Sequence, residues 1–275
     1  MVEAGAKLVM SLVRTTEDML RLLEGLQGGV KFYNAEMLIT IFLTTPEFIK
    51  KILPPPLQPP EIPLGLVYVA NFPKTTLKQS YHEAAIFLDT QFEGKPGNYC
   101  LTMPVDNGMA MVQGRELVGF PKKMAEISLE KKGERILGKV TRRGVEILKI
   151  QASLTGQKLK PEQVYQLFAA DKDERGMPIH TYLIRGLVSL KPESKYKPQL
   201  ICYETRLLPK KVEMLKNIEL IFGKSELDPL QDIEVVEVEG GIYGTFENTM
   251  VEGKIVGEFE DITSLLPYLL YRYDL

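Results

Sequence analysis

The stretch from Ala125 to Leu154, "AEISLEKKGERILGKVTRRGVEILKIQASL", alternates apolar and charged residues and breaks only at Lys132-Gly133 and Arg143-Gly144. Successive side chains of a strand point to opposite faces, so this pattern predicts hairpins with one dry and one wet face. Around it lie "EMLITIFLTT", "LGLVYVANF", "EAAIFLDTQF", "YCLTMPV", "GMAMVQGREL", "TYLIRGLVSL" and "QLICYETRLLPKKVEM". These runs are rich in β-branched and aromatic residues, are separated by Gly, Pro, Asn or Asp, and read as strands. No regular strand-helix alternation accompanies them, which argues against a doubly wound parallel sheet.

Helices are few. Met19, Leu20, Leu22, Leu23 and Leu26 recur at helical spacing between Thr15-Thr16 and Gly28-Gly29, a capped amphipathic pattern. In "TTPEFIKKIL" Pro46 suits a first turn, and the following "PPPLQPPEIP" cannot continue a helix. Short helices are also expected in "PEQVYQLFAA" and, interrupted near Pro267, in "DITSLLPYLLYRY".

With 44% hydrophobic and 25% charged residues, the chain can bury a sizeable core. Its 34 Lys and Arg against 36 Asp and Glu give no chain-wide attraction for nucleic acid or anionic membrane. The basic region Lys131 to Lys149 carries Glu134 and Glu146 and no aromatic platform, and reads as a solvated sheet face. No leader pattern opens the sequence and no apolar run approaches spanning length, so a cytoplasmic protein is expected. Cys100 and Cys202 sit in strand-like runs and read as buried inert thiols. His82 and His180 have no spacing to further metal ligands, and no metal centre is expected. Gly223-Lys224-Ser225 lacks the upstream glycine of a phosphate loop, since Ile218 stands there. The glycines of "EGGIYGTF" lie between strand-like runs and read as a turn or bulge.

Chemistry therefore has to come from other side chains, and the lysine pair Lys122-Lys123 is the candidate. The tripeptide Pro-Lys-Lys is uninformative alone, because it recurs at residues 209–211. Its frame is not. "GRELVGFPKK" resembles the active-lysine motif of the acetoacetate decarboxylase family, and "GNYCLTMPVDNGMAMVQGREL" resembles that family's approach to it without a gap. "ILPPPL", "YHEAAIFL", "PQLICYETRLL" and "PLQDIEVVEVEGGIYGTFENTMVEGKIV" resemble further parts of the family pattern, covering roughly Lys31 to Ser264.

The resemblance implies that Lys122 forms a Schiff base with a β-keto acid, with Lys123 as its cationic neighbour and no cofactor. An ammonium is not nucleophilic, so such a site must disfavour the charge by desolvation or by a second cation; the established example of the latter is this same family. If the pair continues a strand, Lys123 points away from Lys122 and desolvation dominates. Phe120 and Met103 are the expected apolar lining. The resemblance further implies Glu83 as a catalytic carboxylate, Tyr68 where the family has another glutamate, and Leu43 where it has a substrate-binding arginine. Arg115 and Glu116, on successive strand positions, are expected to face apart. The expectation is a small-molecule keto acid substrate, no nucleic-acid or membrane partner, and a homo-oligomer. The fold expected is α+β, predominantly antiparallel, with a barrel-like or cone-like sheet and a few peripheral helices. Residues 1–30 form an N-terminal helical extension and 31–275 the main domain. A different imine-dependent lyase, such as an aldolase or dehydratase, or a non-catalytic binder of small apolar ligands, are the alternatives.

Overall fold

The computed structural model describes residues 15–24, 26–168, 175–186, 197–260 and 262–274. Residues 1–14 of the expected extension, and the ends of "PEQVYQLFAA" and "TYLIRGLVSL", lie outside the described residues. Helix α1 (Thr16–Glu24) begins where the Thr15 hydroxyl accepts from the Asp18 amide at 3.1 Å, as an N-cap should. Strand β1 (Val30–Leu43) leads to α2 (Pro46–Ile52), capped by the Thr45 hydroxyl on the Phe48 amide at 3.1 Å.

There follow β2 (Leu64–Phe72), β3 (Lys74–Thr75), β4 (Tyr81–Phe92), β5 (Lys95–Val105), α3 (Gly108–Val112) and β6 (Lys122–Met124). The middle of the chain is the meander β7 (Glu126–Lys132), β8 (Arg135–Arg142) and β9 (Val145–Leu159), then α4 (Pro161–Leu167). Strands β10 (Met177–Arg185), β11 (Gln199–Phe222) and β12 (Glu237–Glu258) precede a last set of short turns around α5 (Leu266–Leu269).

Strands β10, β5, β4, β2, β1, β12 and β11 are hydrogen-bonded in that order, and β11 pairs again with β10. The sheet thus closes into an uneven ring that is antiparallel except where β5 meets β10. The meander hangs from β11 through β9. It packs on the outside of the ring: Ile136, Val140, Leu148 and Ile150 bury against Leu38, Val69, Ala84 and Ile86. The ring interior holds the other parity of the same strands, including Met37, Tyr68, Ala85, Phe87 and Met103. Period two therefore sorts each ring strand into an inward and an outward set. The meander turns fall at Gly133 and at Arg143-Gly144, all three with positive φ, as the alternation predicts.

One expected strand is a helix. "GMAMVQGREL" forms α3 followed by a π-helical turn, Gln113–Val118. The Asn107 side chain accepts from the Ala110 amide at 3.0 Å and starts the helix; Gly119, in the left-handed region at φ 99°, ends it. Arg115 and Glu116 are accordingly helical neighbours and do not face apart across a sheet. The second Pro-Lys-Lys lies within β11, where Lys210 and Lys211 are both exposed.

Candidate functional site

Strand β6 is three residues long and pairs in parallel with β5, registering Met103 with Lys122 and Pro104 with Lys123. Pro121 fixes the approach, its carbonyl accepting from the Met103 amide at 3.2 Å. Consecutive strand positions face opposite ways, and the two lysines, 5% and 3% exposed, are buried on opposite sides.

Lys122 enters the ring. Its Nζ lies 2.6 Å from Glu83 Oε2 and 5.4 Å from the centre of the Tyr81 ring. Glu83 stands on β4 between Tyr81 and Ala85, both inward-facing, and Tyr68 of β2 donates to its Oε1 at 2.5 Å. Burial, and then the Glu83 carboxylate, push the Tyr68 and Tyr81 phenols well above their usual range, so both hold their protons. Met103 and Phe120 are buried in the same interior cluster. The α3–π-helix segment closes over the lysine stem: a Cβ on Gly114 would fall 2.5 Å from Lys122 Cε and 2.6 Å from Cδ. Only glycine leaves the lysine its channel.

Lys123 leaves the ring on the meander side. It contacts Asp228 at 2.9 Å, Asp274 at 3.0 Å and the Leu227 carbonyl at 3.2 Å. Arg142, at the end of β8, pairs with Asp228 at 2.6 Å and also with Asp274. Burial by itself would raise the Asp274 carboxyl, but Arg142 and Lys123 outweigh it and hold it below the usual carboxylate range.

The structure thus brings Lys122, Glu83, Met103 and Phe120 together and sends Lys123 to a separate ionic cluster. The lysine's neighbours are not apolar alone, as the lining expectation had it: a carboxylate and two phenols share the interior. Leu43 is not brought to this group. It ends β1 opposite Leu64 and Glu237, whereas the β1 residue aligned through Ala70 with Glu83 is Met37. Six strand residues separate the two, about 20 Å. Anchoring on the proline run says nothing about where along β1 the inward face meets the site. Sequence reasoning missed Tyr81, which the parity of "YHEAA" could have given, and the 228–142–274 cluster, which no local pattern announces.

Comparison with known proteins bears on the family and the fold. A family model described as Acetoacetate decarboxylase (ADC) matches residues 24–258. A curated acetoacetate decarboxylase of Burkholderia cenocepacia (strain HI2424) is 36% identical over 111 residues, 40% of this chain and 45% of that protein. The match therefore spans less than half the length of that relative. The crystal structure of acetoacetate decarboxylase from Legionella pneumophila superposes with a TM-score of 0.73 at 20% identity, covering 84% of this chain and 88% of its own. The enduracididine biosynthesis enzyme MppR, complexed with the condensation product of pyruvate and imidazole 4-carboxaldehyde, gives a TM-score of 0.63 at 16% identity, over 82% of this chain and 88% of its own. At such identities these two speak for the fold. With the family model running from the end of α1 to the last residue of β12, the chain belongs to the acetoacetate decarboxylase family.

Proposed function

We propose that the chain is a Schiff-base-forming lyase that decarboxylates a β-keto acid, with Lys122 as nucleophile. The observation that carries this reading is a buried amine paired with one buried carboxylate at 2.6 Å. Glu83 takes a proton from Lys122, and the freed Nζ attacks the substrate ketone carbon. Protonated Glu83 gives that proton to the departing hydroxyl, so loss of water leaves a protonated imine and a Glu83 carboxylate. The bond to the carboxylate carbon then breaks, its electron pair passing into the imine to form an enamine as carbon dioxide leaves. A proton taken up from solvent by Glu83 is then delivered to the enamine carbon, and water hydrolyses the resulting protonated imine to the ketone and the lysine ammonium. The apolar interior around Met103 and Phe120 supports the middle step, because desolvating a carboxylate favours its departure as neutral carbon dioxide.

The Tyr68–Glu83 hydrogen bond favours a second reading. A phenol that keeps its proton beside the carboxylate suits hydrogen bonding to a substrate oxygen, which would orient a carbonyl compound for aldol cleavage or dehydration through the same imine. MppR, of like fold, is known with a condensation product of pyruvate. Both readings belong to a cytoplasmic homo-oligomer acting without a cofactor. Borohydride reduction with a panel of keto acids, acetoacetate and pyruvate among them, should add the reduced adduct's mass at Lys122; no mass at Lys122 with any of them defeats both readings. Carbon dioxide release then supports the first, and carbonyl condensation without gas release supports the second.

A further inference from the structure

We propose that Arg272, Tyr273 and Asp274 form a positioning clasp that holds the segment Arg115–Lys123, and with it Lys122, in the geometry needed for imine formation. This rests on the reading of Lys122 as nucleophile.

The clasp is visible as three successive contacts. Arg272 is buried and donates from Nη1 to the Ile184 carbonyl at 2.9 Å and the Gly119 carbonyl at 3.3 Å. The Tyr273 ring lies 4.9 Å from the Arg115 guanidinium carbon. Asp274 meets Lys123 at 3.0 Å and ties it to Arg142. One short stretch of chain therefore touches the segment in its π-helical part, at the left-handed Gly119 and on the strand next to Lys122.

The need for such a device follows from β6 itself. It has three residues and one neighbouring strand, β5. A nucleophile must be held to within a fraction of an ångström of its productive position, and a single short parallel pairing is a weak hold. The segment's other side is where the clasp acts. Arg272 is suited to a fixed backbone: among the described residues no carboxylate lies within ion-pairing distance of it. A buried guanidinium held on carbonyl oxygens is tolerated only while those oxygens stay in place. Arg272 also reaches β5, where burial raises the Tyr99 phenol to about 12 while the charge of Arg272 and its side-chain hydrogen bond to Tyr99 act the other way.

The experiment compares wild type with Arg272→Gln, Asp274→Asn and Tyr273→Leu, the last removing only a ring contact and so keeping the fold. Arg272→Lys is the conservative rescue. Two quantities are read: amide hydrogen exchange of peptides spanning residues 114–124 against peptides of β8 and β9, and the rate of borohydride-trapped mass at Lys122 with acetoacetate. Expected is at least about tenfold faster exchange in 114–124, unchanged exchange in β8 and β9, at least about tenfold slower trapping, and partial recovery in Arg272→Lys. Unchanged exchange in 114–124, or an equal rise everywhere, overturns the clasp. Faster local exchange with undiminished trapping overturns its positioning role. If wild type itself gains no mass, the failure belongs to the Schiff-base reading, and exchange alone decides whether the clasp holds the segment.

Discussion

Lys122 Nζ lies 2.6 Å from Glu83 Oε2, with both side chains buried on the inner face of the ring. The pair is the proton-transfer unit of the proposed reaction, so Glu83→Gln should lower kcat by about 10²- to 10⁴-fold, the usual span for losing a general acid-base. Removing one partner of a buried ion pair also costs about 3–5 kcal/mol of stability. Steady-state kinetics beside chemical denaturation check the two effects, and unchanged kcat would remove Glu83 from the chemistry.

Gly114→Ala separates activity from stability. The new methyl would meet Lys122 Cε at 2.5 Å, yet that atom is part of a flexible chain and can swing aside. Alanine also favours a helical turn over glycine by about 1 kcal/mol. Thermal unfolding should move by no more than a few degrees, while borohydride trapping at Lys122 falls at least about tenfold. Trapping at the wild-type rate would show that the lysine has room that the geometry denies it.

On the opposite side of β6, Arg142→Met takes from buried Asp228 one of its two cationic partners, leaving Lys123, and from Asp274 one of three, leaving Lys123 and Arg143. The expected loss is about 3–5 kcal/mol. Lys211→Met, at an exposed position of the second Pro-Lys-Lys, is the control and should stay within about 0.5 kcal/mol. Urea denaturation of both variants makes the comparison, and equal losses would contradict a buried ionic anchor.

Asp89, half-buried on β4 opposite Asn98, is raised to about 7 by burial. Between the usual carboxylate value of about 3.9 and that raised value the folded state holds a proton that the unfolded chain releases. Its contribution to stability is therefore full below pH about 4 and is lost as pH rises to about 7. Asp89→Asn mimics the protonated form. It should match wild type at pH 4 and exceed it at pH 8 by roughly 1–3 kcal/mol, and denaturation midpoints that move in parallel at the two pH values would refute this.

Much of the ring was legible because alternation reports directly on which face is buried. "LGLVYVANF" is β2 residue for residue, and "YHEAA" sends Tyr81 and Glu83 inward together. The same parity argument separates Lys122 from Lys123 before any contact is seen. "GMAMVQGREL" is ambiguous by pattern because its methionines and valine suit a strand as well as a helix, and the deciding interactions are a cap from Asn107 and the lysine stem beneath Gly114. The cluster behind β6 was invisible for a different reason: Lys123 and Asp228 are 105 positions apart, and only the closed sheet brings them together.

Strand β6 is thin enough that one residue separates two functions. Under the proposed reading of Lys122, substitutions on the ring's interior wall, at Tyr68 or Met37, would retune which carbonyl compound is accepted without disturbing the charges that fasten the strand from behind. A lineage can thus change its reaction while inheriting its anchor, and a designer could redraw the inner wall on the same terms.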